Sequence, residues 1–176
     1  MAIDNGFKLR NSFIQMEKLL QYMYLFSELL PGELQEVYGL VNPLVYQPKE
    51  KVVIEGDKGD SFYVIQQGTV AVSFEHPNLG TQVVAQLKEG NFFGEIGALL
   101  GKPRTATVTA TTESYLMEID GGELYNLMES QSRIGYKVML AMTKELAMRE
   151  EKTSGELRET RIENSRLEKI LSRTRK

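Results

Sequence analysis

The spacing of apolar residues changes once along this chain, from a helical period to the period of two that is typical of strands. Residues 11–26 carry apolar side chains every three or four positions, which predicts an amphipathic helix. A second, shorter helix is predicted over residues 32–38, after the break at Pro31 and Gly32. From Leu44 onward apolar and polar residues alternate, so the middle of the chain is predicted to be β structure.

Short alternating runs are separated by residues that favour turns. The predicted strands are 44–47, 50–55, 61–66, 69–74, 81–87 and, further on, 114–119. The intervening turns contain Pro48, Gly56, Gly68, Gly80 and Gly90. Short strands at such regular spacing indicate an antiparallel barrel or sandwich.

One stretch, residues 92–108, differs from the simple alternation around it. Gly94 ends a short apolar strand, and residues 95–100 are predicted to form one short helix whose first amides and positive dipole end favour an anion. Gly101 and Pro103 then turn the chain, and Arg104 enters a predicted strand over 105–112. An arginine beside a helix N-terminus suits a phosphate, because it adds full charge and a two-pronged donor to the backbone amides.

The motif Phe93-Gly94-Glu95, followed by Pro103-Arg104-Thr105-Ala106-Thr107-Val108, closely resembles the phosphate-binding cassette of cyclic nucleotide-binding domains. The resemblance covers residues 24–150. It implies an α+β fold: an antiparallel, jelly-roll-like β-roll with an embedded phosphate-binding helix, N-terminal helices and a long C-terminal helix. The expected parts are an N-terminal helical element (1–43), the β-roll with its cassette (44–119, with 92–108) and the C-terminal helices (120–176).

The resemblance also implies a role for each cassette residue. Arg104 is expected to pair with the cyclic phosphate, Glu95 to accept a hydrogen bond from the ribose 2′-OH, and Gly94 to allow close backbone approach. Backbone amides around Gly97 and Ala98, and that of Ala106, are expected to complete the phosphate cradle. The other residues of the implied ligand-binding set are Phe93, Ile96, Thr105 and Val84.

The base of the nucleotide is expected to contact two further places. Alignment of the last helix, by its apolar stripe, with the regulator branch of the family implies that Leu146, Arg149 and Glu150 lie near the base. A hydroxyl residue at Thr105 can bond the 2-amino group of guanine, but threonine also occurs in family members that prefer cAMP. The resemblance therefore favours cAMP as the ligand, with cGMP tolerated.

A simpler interpretation of the cassette needs no ligand. A glutamate in the first turn of a helix is favoured by the dipole alone, Arg104 can pair with it, and Gly94 can serve only a tight turn. The presence of the whole motif in the right frame between strands favours ligand binding over this interpretation.

The C-terminal part of the sequence is predicted to be helical. Asp120 is a candidate N-cap for a helix that carries Leu124, Leu127 and Met128, and a last helix from about Arg133 is predicted to reach the C-terminus with one interruption. Its inner positions form a seam with one stutter, which favours a coiled coil and a homodimer. The seam residues are Met139, Met142, Leu146, Arg149, Thr153, Leu157, Thr160, Asn164, Leu167, Leu171 and Thr174. The alternative is a single solvated helix that packs on the β-roll only in its first half.

Composition excludes several classes of protein. The 176 residues carry a net charge of −3, which argues against nucleic acid as the main partner, although the C-terminal end from Arg166 is basic. The chain has no cysteine and one histidine, His76, and we predict no metal site and no catalytic set, so the protein is not expected to be an enzyme. The absence of an apolar run of about 18–20 residues and of a signal peptide predicts no membrane contact and a cytoplasmic location.

Three functions remain open at this point. The first is a receptor for cyclic nucleotides that relays occupancy through its terminal helices to an unknown downstream protein. The second is a coiled-coil scaffold with a vestigial nucleotide pocket. The third is a DNA-binding regulator, which is disfavoured because the residues that follow Gly155 are too few for an independent domain.

Overall fold

The structure, a computed structural model, describes residues 24–174, which form eight strands and four α-helices. The chain divides into two units, Met1–Val138 and Met139–Lys176. All eight strands belong to the first unit, and the described part of the second is a stretch of the last helix. The predicted helix over residues 11–26 lies mostly outside the described residues; its last three, Tyr24–Phe26, form a short 3-10 helix.

The elements follow one another with short connections. The strands are β1 Val41–Tyr46, β2 Lys51–Val53, β3 Ser61–Gln67, β4 Thr69–His76, β5 Gly80–Lys88, β6 Phe92–Phe93, β7 Thr107–Ala110 and β8 Ser114–Asp120. The helices are α1 Pro31–Tyr38, α2 Glu95–Leu100, α3 Gly121–Ser130 and α4 Ser132–Thr174.

The strands form two antiparallel four-stranded sheets, with orders β1-β8-β3-β6 and β2-β7-β4-β5. Helix α2 lies between β6 of the first sheet and β7 of the second, where the chain changes sheet. The predicted architecture is confirmed: an antiparallel β-roll with an embedded short helix and a long C-terminal helix.

The inner faces of the two sheets are held together by apolar side chains. Alternation along β3 puts Tyr63 and Ile65 on one face, and their partners across β8 are Glu118 and Leu116. Tyr63 and Ile65 belong to a buried cluster whose other members are Val53, Val70, Phe93, Val108 and Leu116. Because Phe92 and Phe93 are both buried, the two-residue strand β6 fixes the start of α2 against this core.

Helix α1 is tied to the start of α4 through one carboxylate. Glu33 accepts a hydrogen bond from the N–H of Leu30, the residue that precedes α1, at 2.7 Å. The same side chain forms ion pairs with Lys137 and with Arg133, whose Nε lies 3.3 Å away. The Leu30 N–H first, and the Lys137 ammonium next, hold the pKa of Glu33 below its ordinary value.

Three strands differ most from their predicted bounds. Strand β1 begins at Val41, three residues early, and includes Pro43, which is tolerated because β1 is an edge strand. Strand β2 is limited to Lys51–Val53. Strand β7 begins at Thr107 rather than at residue 105, because the backbone of Arg104 is bonded to the loop that follows β2.

The C-terminal helices are largely as predicted. The Asp120 side chain accepts a hydrogen bond from the Glu123 N–H at 2.9 Å, so its role as the N-cap of α3 is confirmed. The interruption expected in the last helix was wrong, since α4 is continuous from Ser132 to Thr174. A single interior glycine such as Gly155 costs only about 1 kcal/mol relative to alanine, which a long helix absorbs.

Candidate functional site

Helix α2 is delimited by two glycines in the left-handed conformation. Gly94 has φ +84° and Gly101 has φ +62°, values that other residues rarely adopt. A Cβ on Gly94 would lie 2.7 Å from Nη1 of Arg104 and 3.1 Å from the carbonyl oxygen of Ser61. Gly94 is therefore required both by the turn and by the close approach of the arginine.

Arg104 is held by its backbone before its side chain makes any contact. Its N–H donates to the Asp57 carbonyl at 2.8 Å, and its own carbonyl accepts from the Gly56 N–H at 2.9 Å. These two bonds join the chain segment between α2 and β7 to the loop after β2. They set the direction in which the arginine side chain enters the β-roll.

The guanidinium of Arg104 is buried, with 7% of the residue exposed. Nη1 donates to the Ser61 carbonyl at 2.6 Å and to the Gly94 carbonyl at 3.3 Å, and Nη2 donates to Ser61 Oγ at 3.1 Å. The guanidinium carbon also lies 5.6 Å from the centroid of the Tyr63 ring, within the range of a cation–π contact. A guanidinium has five N–H donors, so these three bonds fix its plane and leave donors for an anion.

Glu95 is the other charged residue of the cassette and is also buried, at 8% exposed. It occupies the first position of α2, where the dipole favours a negative charge. The amides of Glu95, Ile96 and Gly97 belong to the first turn, whose N–H groups have no acceptor within the helix. The Ala98 N–H, by contrast, donates to the Gly94 carbonyl at 3.1 Å, which is the first hydrogen bond of the helix.

The charge of Arg104 affects its surroundings. The pKa of Asp60 is lowered, mainly by its hydrogen bond with Lys58 and in smaller part by Arg104. Burial raises the pKa of Tyr63 to about 12, although the nearby Arg104 acts in the opposite direction. The cassette thus has a positive centre inside the roll.

The remaining predicted residues of the first unit have mixed exposure. Phe93 is buried and stacks on Tyr63, with ring centroids 5.1 Å apart. Ile96 and Thr105 are exposed, and Ala98 and Ala106 are half-buried. Val84, on β5, is 59% exposed.

Leu146, Arg149 and Glu150 lie in the second unit, on α4. The Nε of Arg149 bonds to Oε1 of Glu145, one turn earlier, at 3.1 Å. Their expected place near the base of the nucleotide stays a prediction.

Sequence reasoning missed the residues that hold Arg104. Ser61 supplies two of its three acceptors, and Tyr63 supplies the aromatic face. Alternation along β3 does put Ser61 and Tyr63 on one face, but no local pattern relates that face to a residue 43 positions later. The close packing of Gly59 against Gly97 was missed for the same reason.

Within residues 24–174, no helix is long and apolar enough to cross a bilayer. The part of the chain that the structure describes also contains no group of three or more histidine, aspartate or glutamate side chains arranged to hold a metal ion.

The β-roll, the embedded helix and the buried arginine together define a known class of ligand-binding module. The sequence profile of the cyclic nucleotide-binding domain family matches residues 43–131. The chain belongs to the cyclic nucleotide-binding domain family, whose members are regulatory binding modules.

Three proteins illustrate what the chain is similar to. A cAMP-dependent protein kinase regulatory subunit from Dictyostelium discoideum is 29% identical over 118 residues, which cover 67% of this chain and 36% of the relative. The regulatory domain of the Toxoplasma gondii cAMP-dependent kinase, solved with cAMP, has 27% identity and a TM-score of 0.59, and the match covers 66% of this chain and 44% of that one. A cyclic nucleotide-binding domain from Methylobacillus flagellatus KT, at 24% identity, shares the fold with a TM-score of 0.70 over 79% of this chain and 78% of that one. The chain thus spans about a third of the length of this kinase regulatory subunit.

Proposed function

We propose that this protein is a cyclic nucleotide receptor that binds cAMP, tolerates cGMP, and relays occupancy through movement of its terminal helices. The observation that carries the proposal is the buried Arg104, held beside the first turn of α2 with its guanidinium plane fixed and N–H donors to spare. A buried guanidinium whose three hydrogen bonds leave some of its N–H groups over favours an anionic ligand, because charge-assisted hydrogen bonds are the strong ones. The names of two relatives, both of cAMP-dependent kinases, favour cAMP as that anion.

In this proposal the cassette recognises the sugar and phosphate. Arg104 pairs with an anionic phosphate oxygen, and the amides of Gly97 and Ala106, with Ala98 beside them, complete the cradle. Glu95 accepts a hydrogen bond from the ribose 2′-OH, which a 3′,5′-cyclic phosphate leaves free. Phe93, Gly94, Ile96 and Val84 form the walls of the pocket, and Thr105 faces the base.

The relay assigned to the helices is a population shift. Ligand in the cassette favours the state in which Leu146, Arg149 and Glu150 of α4 cover the base, and this changes the position of the terminal helices. No catalytic role is proposed. A kinase catalytic subunit is one candidate for the downstream partner, since the named relatives are kinase regulatory subunits.

The exposed apolar side chains of α4 favour a homodimer in addition. Leu157, Leu167 and Leu171 are each more than half exposed and lie on one seam with Asn164, a spacing typical of a coiled coil. This same observation supports the second candidate, a coiled-coil scaffold with a vestigial pocket. Sedimentation equilibrium distinguishes a dimer from a monomer, and Leu167→Glu is expected to shift the dimer to monomer.

The test of the receptor is calorimetric titration of nucleotide-stripped protein with cAMP and with cGMP. We expect micromolar or tighter binding of cAMP and weaker binding of cGMP. Arg104→Ala removes the countercharge of a desolvated phosphate, which costs about 2–5 kcal/mol of binding. The corresponding loss of affinity is about 30- to 4,000-fold. Absence of binding to folded, ligand-free protein, with self-association retained, would favour the scaffold.

A further inference from the structure

Arg104 is connected through a buried serine hydroxyl to a carboxylate on the neighbouring strand β8. Ser61 Oγ accepts from Nη2 of Arg104 at 3.1 Å and lies 3.1 Å from Oε1 of Glu118. Because a guanidinium only donates hydrogen bonds, the single hydrogen of the Ser61 hydroxyl is left for two nearby acceptors, Oε1 of Glu118 and the Tyr63 hydroxyl oxygen at 3.3 Å. The Tyr63 hydroxyl itself donates to the same Oε1, so either route ends on the carboxylate, which only accepts. The three groups therefore form one directed chain from cation to anion.

The strand register brings the members of this hydrogen-bond chain together. Glu118 of β8 pairs with Tyr63 on β3, and with Asn42 on β1. Ser61 lies two residues before Tyr63 and so shares its face of the sheet. The arrangement depends on the pairing of three strands, not on one flexible loop.

Glu118 is itself held by two further donors. The Tyr63 hydroxyl donates to Oε1 at 2.9 Å, and the Asn42 side-chain amide donates to Oε2 at 2.9 Å. Tyr63 meanwhile lies under the guanidinium and stacks on Phe93. The carboxylate thus has a fixed position from which it orients the Ser61 hydroxyl.

We propose that Glu118, acting through Ser61, is a positioning residue that fixes the guanidinium plane of Arg104 for the phosphate of the ligand. The Ser61 carbonyl and hydroxyl engage Nη1 and Nη2, so the guanidinium presents its remaining donors in one orientation before ligand arrives. A group held in its binding geometry loses less conformational freedom on binding, and this increases affinity. The part of this inference that concerns affinity rests on the proposed receptor function.

Two variants test the hydrogen-bond chain at its two links, and a matched control is available. Ser61→Ala removes the hydroxyl, and Glu118→Gln removes the charge with little change of shape. Glu113→Gln is the control, because Glu113 accepts from a side-chain amide (Gln47) and a tyrosine hydroxyl (Tyr115), as Glu118 does, but has no bond to Ser61. Each variant is first checked for cooperative unfolding.

The first readout is the affinity for cAMP. We expect Ser61→Ala to weaken binding about tenfold and Glu118→Gln about three- to tenfold, as for the loss of one ordinary hydrogen bond, because neither residue touches the ligand itself. The control should stay within about twofold, as exposed substitutions usually do. The proposed path runs from Glu118 through Ser61, so the double variant should bind about as well as Ser61→Ala alone. Additive losses would overturn the proposal.

The second readout is the side-chain Nε–H resonance of Arg104 in ligand-free protein, measured by NMR. It should move in Ser61→Ala and Glu118→Gln and stay in place in Glu113→Gln. This readout needs no ligand, so a failure of cAMP to bind would refute the receptor function and still leave the positioning role to be decided. An unmoved resonance in both variants would overturn the positioning role.

Discussion

The contact between Gly59 and Gly97 gives the sharpest prediction about how the cassette is held. A Cβ on Gly97 would lie 2.8 Å from the Gly59 Cα and 2.9 Å from the Gly59 carbonyl oxygen. These neighbours are backbone atoms, so no side chain can rotate away to make room. Gly97→Ala must therefore push α2 away from the loop that carries Gly59.

The destabilisation caused by the added Cβ at Gly97 can be separated from the ordinary effect of alanine in a helix. Overpacking of this kind costs about 1–3 kcal/mol. Replacing glycine by alanine in a helix otherwise stabilises the folded state by up to about 1 kcal/mol. Gly32→Ala is the matched control, because Gly32 lies near the start of another short helix of the first unit and its added Cβ meets no atom within 4 Å.

Thermal unfolding of the two variants measures the difference. We expect Gly97→Ala to unfold about 2–12 °C below Gly32→Ala, at about 2–4 °C per kcal/mol for a chain of this size. Its cAMP affinity should also fall, because the first-turn amides of α2 are displaced. Equal melting temperatures for the two variants would refute the close packing of α2 on the loop.

Three further predictions concern capping, pH and the base. Asp120→Ala removes the acceptor for the Glu123 N–H and should cost about 1 kcal/mol in urea unfolding; an unchanged midpoint would contradict the cap. The folded-state pKa of Glu33 is lowered, so its contribution to stability is present above the ordinary value of 4.5 and is lost as pH falls through the folded pKa. Glu33→Gln should then destabilise at neutral pH and flatten the acid side of the stability curve, whereas curves that stay parallel at all pH values would exclude this linkage. Thr105→Ala should weaken the binding of cGMP relative to that of cAMP by about 2- to 12-fold, which corresponds to the loss of one hydrogen bond. An unchanged ratio of the two affinities would show that Thr105 does not select the base.

The order of elements could be predicted from the sequence because it depends on local signals. The glycines at 94 and 101 and the proline at 103 delimit α2, and both glycines have the positive φ that such turns require. Alternation located the strands of the roll, and Asp120 marked the start of α3. These features involve residues close in the sequence, where spacing carries the information.

The support of Arg104 could not be predicted in this way. Its acceptor Ser61 lies 43 residues earlier, and Glu118, which bonds to Ser61, lies 57 residues after that serine. Such contacts depend on strand register, which the pattern of a single strand does not determine. The start of β7 was placed too early for a related reason, since the backbone bonds of Arg104 go to Asp57 and Gly56 and not to a neighbouring strand.

Binding of the cyclic phosphate by the cassette is tested most directly by two-dimensional NMR, in which the backbone amide resonances of the protein are followed during titration with cAMP. We expect the largest shifts at Gly97 and Ala106 and at the Nε–H of Arg104, and we expect these shifts to saturate together with one dissociation constant. Saturating shifts confined to other parts of the chain, with these three resonances unmoved, would contradict the claim that the cassette holds the cyclic phosphate.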